Sequence, residues 1–363
     1  MKNIKKLLVL LMALCLIAGV TACHQKGEIA VKVGDKEFTS GYYACVLYFT
    51  DSEARSKVQT QLSKAGEDTS NIDYYSQQID GKDYVDWVKE ETLNSIKKIA
   101  ASQIYCERNN LTPEESELTN TVSYAEYYWE NYYSETLTKN GVAKETFIKY
   151  MKDSLYEELY FDHIFGAEGE KAVTEEQIKN EITSNLVLAD VLSFDLSTSD
   201  SDEGEEATDN DAVNEQINGY YNDLKAGKRT FEEIYYEKTG TEKTETTEDS
   251  DTPAPEDSLA TMIGKPDTDY AGTYSDYYEE IVAMQTGEVK IIESKDGATK
   301  YIVVKKDILA DTYYYTTYED TFRHALADGD FDKLVAEYLK DLSFEEISYA
   351  TDNFKVKDIY YAS

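Results

Sequence analysis

The text of this chain changes character at Leu186. Upstream, from about 41 to 179, apolar residues recur at helical spacing. Residues 186–194 are instead a nearly continuous apolar run rich in Leu and Val, the pattern of a strand buried on both faces. Further strands read at 289–292 and 300–305, with an Asp296-Gly297 tight-turn signal between them. Helical text returns from about 313 to 341. Alternation of strand and helix is thus confined to the middle. That places the chain in the α+β class, with a mostly helical part, a small α/β part between about 186 and 309, and a helical tail ending in a strand. A length of 363 residues allows two or three domains, and 41% hydrophobic residues suffice to build cores.

Local signals fill in the elements. Ile29, Val31 and Val33 alternate, Gly34-Asp35 turns, and 36–38 returns as a hairpin, after which Thr39-Ser40 caps a helix. Tyr84, Val88, Thr92, Ser95, Ile99 and Ile104 track one face of a long helix ending near Asn109-Asn110. Thr112-Pro113 predicts the next helix start, and Thr174 with Gln177 forms a capping box. A helix over 214–225 ends at Gly227, another starts at Thr230, and 277–285 is helical. The 313–341 helical stretch is expected to break near Asp328-Gly329-Asp330. Residues 197–214 and 240–257 read as solvated loops. The alternation over 353–361 predicts a closing strand that returns beside the 29–38 hairpin, because an isolated two-stranded hairpin is marginal in water.

The formal charge is −36. Such a surface repels phosphates and anionic lipids, which argues against a nucleic-acid partner. No Gly-rich phosphate loop or zinc-protease motif occurs, and three His at no ligand spacing give no metal site and imply no cofactor. Cys45 and Cys106 lie in apolar helical text, which favours two buried thiols over a bridge. Tyr is the outlier, at 32 residues. Tyr124, Tyr128 and Tyr132 are spaced by four and share a helix face, whereas Tyr127 and Trp129 fall off that stripe. One face belongs in a core; another is expected to bind extended peptides, since Tyr offers large contact area at low entropy cost.

The first 23 residues are Lys2, Lys5 and Lys6, an apolar stretch over 7–20, and then Val20-Thr21-Ala22-Cys23. The stretch is short for a bilayer span of roughly 20 residues. Charged, apolar and small-residue regions follow one another in the order of an export signal. With a Cys directly after the small residues, it resembles a bacterial lipoprotein signal. That resemblance implies removal of 1–22, a diacylglycerol on Cys23, and a lipid-anchored protein on the extracytoplasmic face of the cell membrane.

Across the mature chain, the order of elements resembles the PrsA-type foldase lipoproteins. These join a SurA-like helical domain to an inserted parvulin-type prolyl isomerase domain. The resemblance is carried by the 31–39 hairpin text, the 189–192 strand, Leu224 to Phe231 with its Gly227, the 279–289 helix and Gly-Glu turn, and Gly297 with 300–305. It implies a SurA-like part over 23–185, a parvulin-like part over 186–309, and a segment 310–363 packing back on the first. It also implies unfolded exported polypeptides as partners. Parvulin sites use two histidines on adjacent strands. Here Asp190 and Tyr301 stand at those positions, and no His occurs between 186 and 309. The expected function is therefore a membrane-anchored chaperone with a degenerate isomerase insert. Two other readings stay open: an isomerase using Asp190 and Tyr301 with a pocket of Phe231, Val282 and Met284, and a non-catalytic surface protein binding peptide or carbohydrate. The sequence is silent on oligomeric state.

Overall fold

A computed structural model describes residues 27–196, 210–241, 258–268 and 270–362. Cys23 and most of both acidic loops lie outside the described residues. The chain divides into two compact units: Met1–Ala172 with Asp328–Ser363, and Val173–Ala327.

The first unit is helical around a three-stranded sheet. Strands β1 (Ile29–Val33) and β2 (Lys36–Thr39) form the expected hairpin. Gly34 turns it at a φ of 58°, and a Cβ there would sit 2.9 Å from Ile104 Cδ1, so glycine is strongly favoured. Thr39 Oγ1 accepts from the amide of Tyr42 at 3.3 Å and starts helix α1 (Ser40–Lys64). A two-residue hairpin, β3 (Gln78–Ile79) and β4 (Lys82–Asp83), leads into α2 (Tyr84–Arg108). That helix buries Tyr84, Val88, Thr92, Ile96 and Ile99. Helix α3 (Glu115–Tyr128) begins two residues later than Thr112-Pro113 suggests, because the Glu117 carboxylate accepts the Glu114 amide at 3.0 Å. Helices α4 (Ser134–Lys139) and α5 (Lys144–Phe165) complete this half.

The predicted strand at 353–361 is not formed. The strand that joins the hairpin is β9 (Phe344–Glu346), giving the order β2-β1-β9. All three of its residues are exposed, so no apolar alternation announces it. The apolar residues of 353–361 serve packing instead. Val356 is buried, and Phe354 and Ile359 lie against the core of α1 and α2.

The second unit opens with α6 (Glu175–Asn185), capped by the Thr174–Gln177 box. Its sheet is fully antiparallel in the order β6-β5-β8-β7: β5 (Leu186–Asp195), β6 (Ala260–Gly264), β7 (Val289–Glu293) and β8 (Thr299–Lys306). β6 has no counterpart in the sequence reading. Helices α7 (Asn210–Lys225) and α8 (Phe231–Thr239) cover one face, and α9 (Tyr278–Val282) the other. The expected break near Gly329 is absent: α10 (Thr312–Leu339) runs through it. Ala327, Phe331 and Val335 are buried four residues apart, and this stripe outweighs the cost of one exposed glycine, about 1 kcal/mol. The fold is α+β, as expected.

Candidate functional site: a tyrosine ladder, and a sheet without a paired centre

Asp190 and Tyr301 sit on adjacent strands but on opposite faces. Asp190 lies across from Val304, and Tyr301 across from Ser193. Residues directly opposite share a face and successive residues alternate, so 190 and 301 point away from each other. Asp190 is buried, and its carboxylate pairs with Lys306 Nζ at 2.8 Å. It shares its face with Leu192, Ile302 and the buried Phe231. Tyr301 belongs to the other face, with Met284 and Ile292. Val282 is exposed. The five residues proposed as a prolyl site therefore do not converge.

The Tyr301 side carries an apolar recess between Val191, Ile281, Ile292 and Val303. Tyrosine rings fill it: Tyr274 packs edge-on to Tyr301 at 5.7 Å, and Tyr277 lies tilted against it at 5.2 Å. Burial and a hydrogen bond with Tyr301 push the Tyr277 hydroxyl up to about 12. Three tyrosine rings thus line and close this recess.

The tyrosines of α3 and of the turn that follows it behave differently. Tyr124, Tyr127, Tyr128 and Tyr132 are exposed by 63, 54, 42 and 61%. After Tyr128 the helix widens to a π turn over Trp129–Tyr133, closed by the Ser134 amide on the Trp129 carbonyl. The turn has two effects. Trp129 and Tyr133 rotate onto Phe147, at 6.0 and 5.7 Å, in the core with Ala125 and Leu137. Tyr127 and Tyr132, five apart, come within 6.0 Å, ring centroid to ring centroid. Tyr128 lies 5.8 Å from each of them. Tyr127, set off the stripe by ideal helix geometry, is thus at its centre.

A third feature is a cavity of about 540 Å³ lined by Lys98, Tyr150, Glu157, Asp332, Val335 and Leu339, among others. Lys98 Nζ donates to Asp332 Oδ1 at 2.8 Å and lies 3.9 Å from Glu157. Burial raises the Glu157 carboxyl to about 7, against the opposing pull of Lys98. Cys45 and Cys106 are free and buried, and burial lifts the Cys106 thiol to about 11. Among the described residues, no helix is long and apolar enough to cross a membrane, and no group of His, Cys, Asp and Glu is placed to hold a metal.

No family model and no curated protein matches the chain. Among solved structures, it is similar to the foldase protein PrsA from Streptococcus pneumoniae at 15% identity and a TM-score of 0.37, over 73% of this chain and 88% of that one. It is also similar to the foldase protein PrsA from Lactococcus lactis, again at 15% identity and a TM-score of 0.37, over 91% of this chain and all of that one.

Proposed function

We propose that this chain is a lipid-anchored, extracytoplasmic chaperone that holds unfolded exported polypeptides without strong isomerase activity. The observation that carries the reading is the contiguous, exposed tyrosine surface on α3, backed by a packed core. Such a surface makes weak, exchangeable contacts with many sequences, which is what suppression of aggregation requires. The sheet unit, the degenerate insert of this reading, supplies no converging polar set around an open prolyl slot. The Cys23 signal supports anchoring, which raises the local concentration of binding sites where clients emerge.

The test pairs two assays on the mature chain. Wild type is expected to slow aggregation of an unfolded exported protein, with no turnover of a prolyl tetrapeptide. Asp190→Ala and Tyr301→Phe are expected to leave both results unchanged. Strong isomerase activity lost in either variant would make the chain an enzyme. Absence of both activities would favour a surface-binding role. For the anchor, Cys23→Ser is expected to abolish lipid labelling and release the chain from membranes.

A further inference from the structure

We infer that the α3 ladder selects for positive charge, and that its occupant is an extended polypeptide segment bearing Arg or Lys side chains. The inference rests on the chaperone reading and adds the chemical class of the bound segment. Four observations carry it. The ladder is continuous, since Tyr127, Tyr128 and Tyr132 touch one another, and it leaves ring surface open to solvent. Its own segment is acidic: residues 109–138 carry six Glu and no Lys, Arg or His, against the two lysines that reach in from 139 and 144. The cations nearest in sequence are already engaged, Lys139 with Glu135 at 2.8 Å and Lys144 with Glu130 at 3.2 Å and Glu126 at 3.4 Å. Lastly, the chain seats its own cations on tyrosine elsewhere. Arg55 lies 4.6 Å over Tyr74 and 4.5 Å over Tyr361, and Lys139 lies 4.0 Å over Tyr360. Among the described residues, no cation lies over the four ladder rings.

The negative face of a phenol attracts a cation, and the glutamates around it add long-range attraction. An acidic segment would meet like charge and gain only contact area. The π turn is what lets the site exist. It commits Trp129 and Tyr133 to the core and leaves Tyr127 and Tyr132 side by side outside.

The test titrates the full mature chain with synthetic peptides of equal length and apolar content. One set carries arginine, one citrulline (the uncharged isostere) and one glutamate. Binding is read by isothermal titration calorimetry, which applies equally to wild type and to variants that lack the four tyrosines. The arginine peptide is expected to bind on the order of tenfold more tightly than the citrulline peptide. Replacing all four tyrosines by Phe is expected to keep affinity within about twofold. Replacing them by Leu, which preserves apolar area but not the ring face, is expected to lose about tenfold. Equal binding of all three peptides would overturn the inference, as would a Leu variant that binds the arginine peptide like wild type. So would self-association of wild type that the Leu variant abolishes. The Phe variant controls for folding. Aggregation suppression by wild type with no arginine preference would sink this inference while sparing the chaperone reading. Arginine preference without any suppression would do the reverse.

Discussion

Asp51 is fully buried in α1 and takes three donors. Tyr84 donates to one carboxylate oxygen at 2.8 Å, and Arg55 at 2.8 Å and Tyr361 at 2.6 Å donate to the other. A carboxylate is stable in a core only on such terms. Its removal strands three donors, so Asp51→Ala is expected to cost about 3 kcal/mol in urea unfolding, and Tyr361→Phe about 1 kcal/mol. An Asp51→Ala variant as stable as wild type would show that the network adds no net stability. Glu157 works in the opposite direction. Its unfolded carboxyl titrates near 4.5 and its folded one near 7. Between those values the native state holds a proton that the unfolded chain has lost. Native stability therefore falls as pH rises from about 4.5 to about 7 and does not recover above. Glu157→Gln stays neutral throughout. It is expected to match wild type at about pH 4 and to exceed it at about pH 8 by about 1–2 kcal/mol, a range that allows for water reaching the carboxyl. Equal unfolding midpoints for the two proteins at both pH values would remove this proton from the account.

At the scale of elements, the three-stranded sheet ties the chain's beginning to its end. Ile347 donates to the Ala30 carbonyl and Gly34 to the Ser343 carbonyl, each at 2.8 Å. Antiparallel ladders alternate, so Lys32 and Glu345, which lie opposite each other between these bonds, form the hydrogen-bonded pair. Glu345→Pro removes a ladder donor and is expected to destabilise the first unit by on the order of 2 kcal/mol, with faster amide exchange at Ile347. Unchanged exchange there would mean that β9 adds nothing to the sheet. The elements that sequence reading placed correctly are those whose signals are local. Gly34 in its hairpin, the Thr174–Gln177 box and the apolar run of β5 each need only a few neighbours to be read. β9 has no such signal, since its three residues are exposed and its partner is some 300 residues away in sequence. The Asp80-Gly81 turn did have one: both residues adopt positive φ, as an Asp-Gly hairpin requires, yet it lies inside text that reads as helix. The π turn at Trp129 was illegible for another reason. It exists because Phe147 and Leu137 accept Trp129 and Tyr133 into a core, a demand that a helical wheel of α3 does not contain. The opposite facing of Asp190 and Tyr301 likewise depends on the register between β5 and β8, which neither strand states alone.

Over the whole molecule, 72 acidic residues face 36 basic ones. Added salt acts on this imbalance in two opposing ways. It weakens exposed ion pairs such as Lys82–Glu90 and Lys179–Glu175, each worth at most about 1 kcal/mol. It also screens repulsion among the carboxylates that have no cation to meet, and these exist in any pairing scheme because acids outnumber bases two to one. Pairs gain over a few ångströms, whereas the repulsion sums over the whole surface and is the longer-ranged interaction. Screening of the repulsion should therefore win. Raising sodium chloride from about 10 mM to about 0.5 M, where the Debye length drops from about 30 Å to under 5 Å, is expected to raise the unfolding temperature by several degrees. The same change is expected to weaken the arginine peptide on the tyrosine ladder, because the glutamates that draw it in are screened as well. Stability and binding should thus move in opposite directions along one salt titration. An unfolding temperature that falls with salt would assign the stability to the ion pairs, with Lys98–Asp332 the first to examine by Asp332→Asn. Binding that holds constant while stability rises would show that the ladder reads ring contact alone.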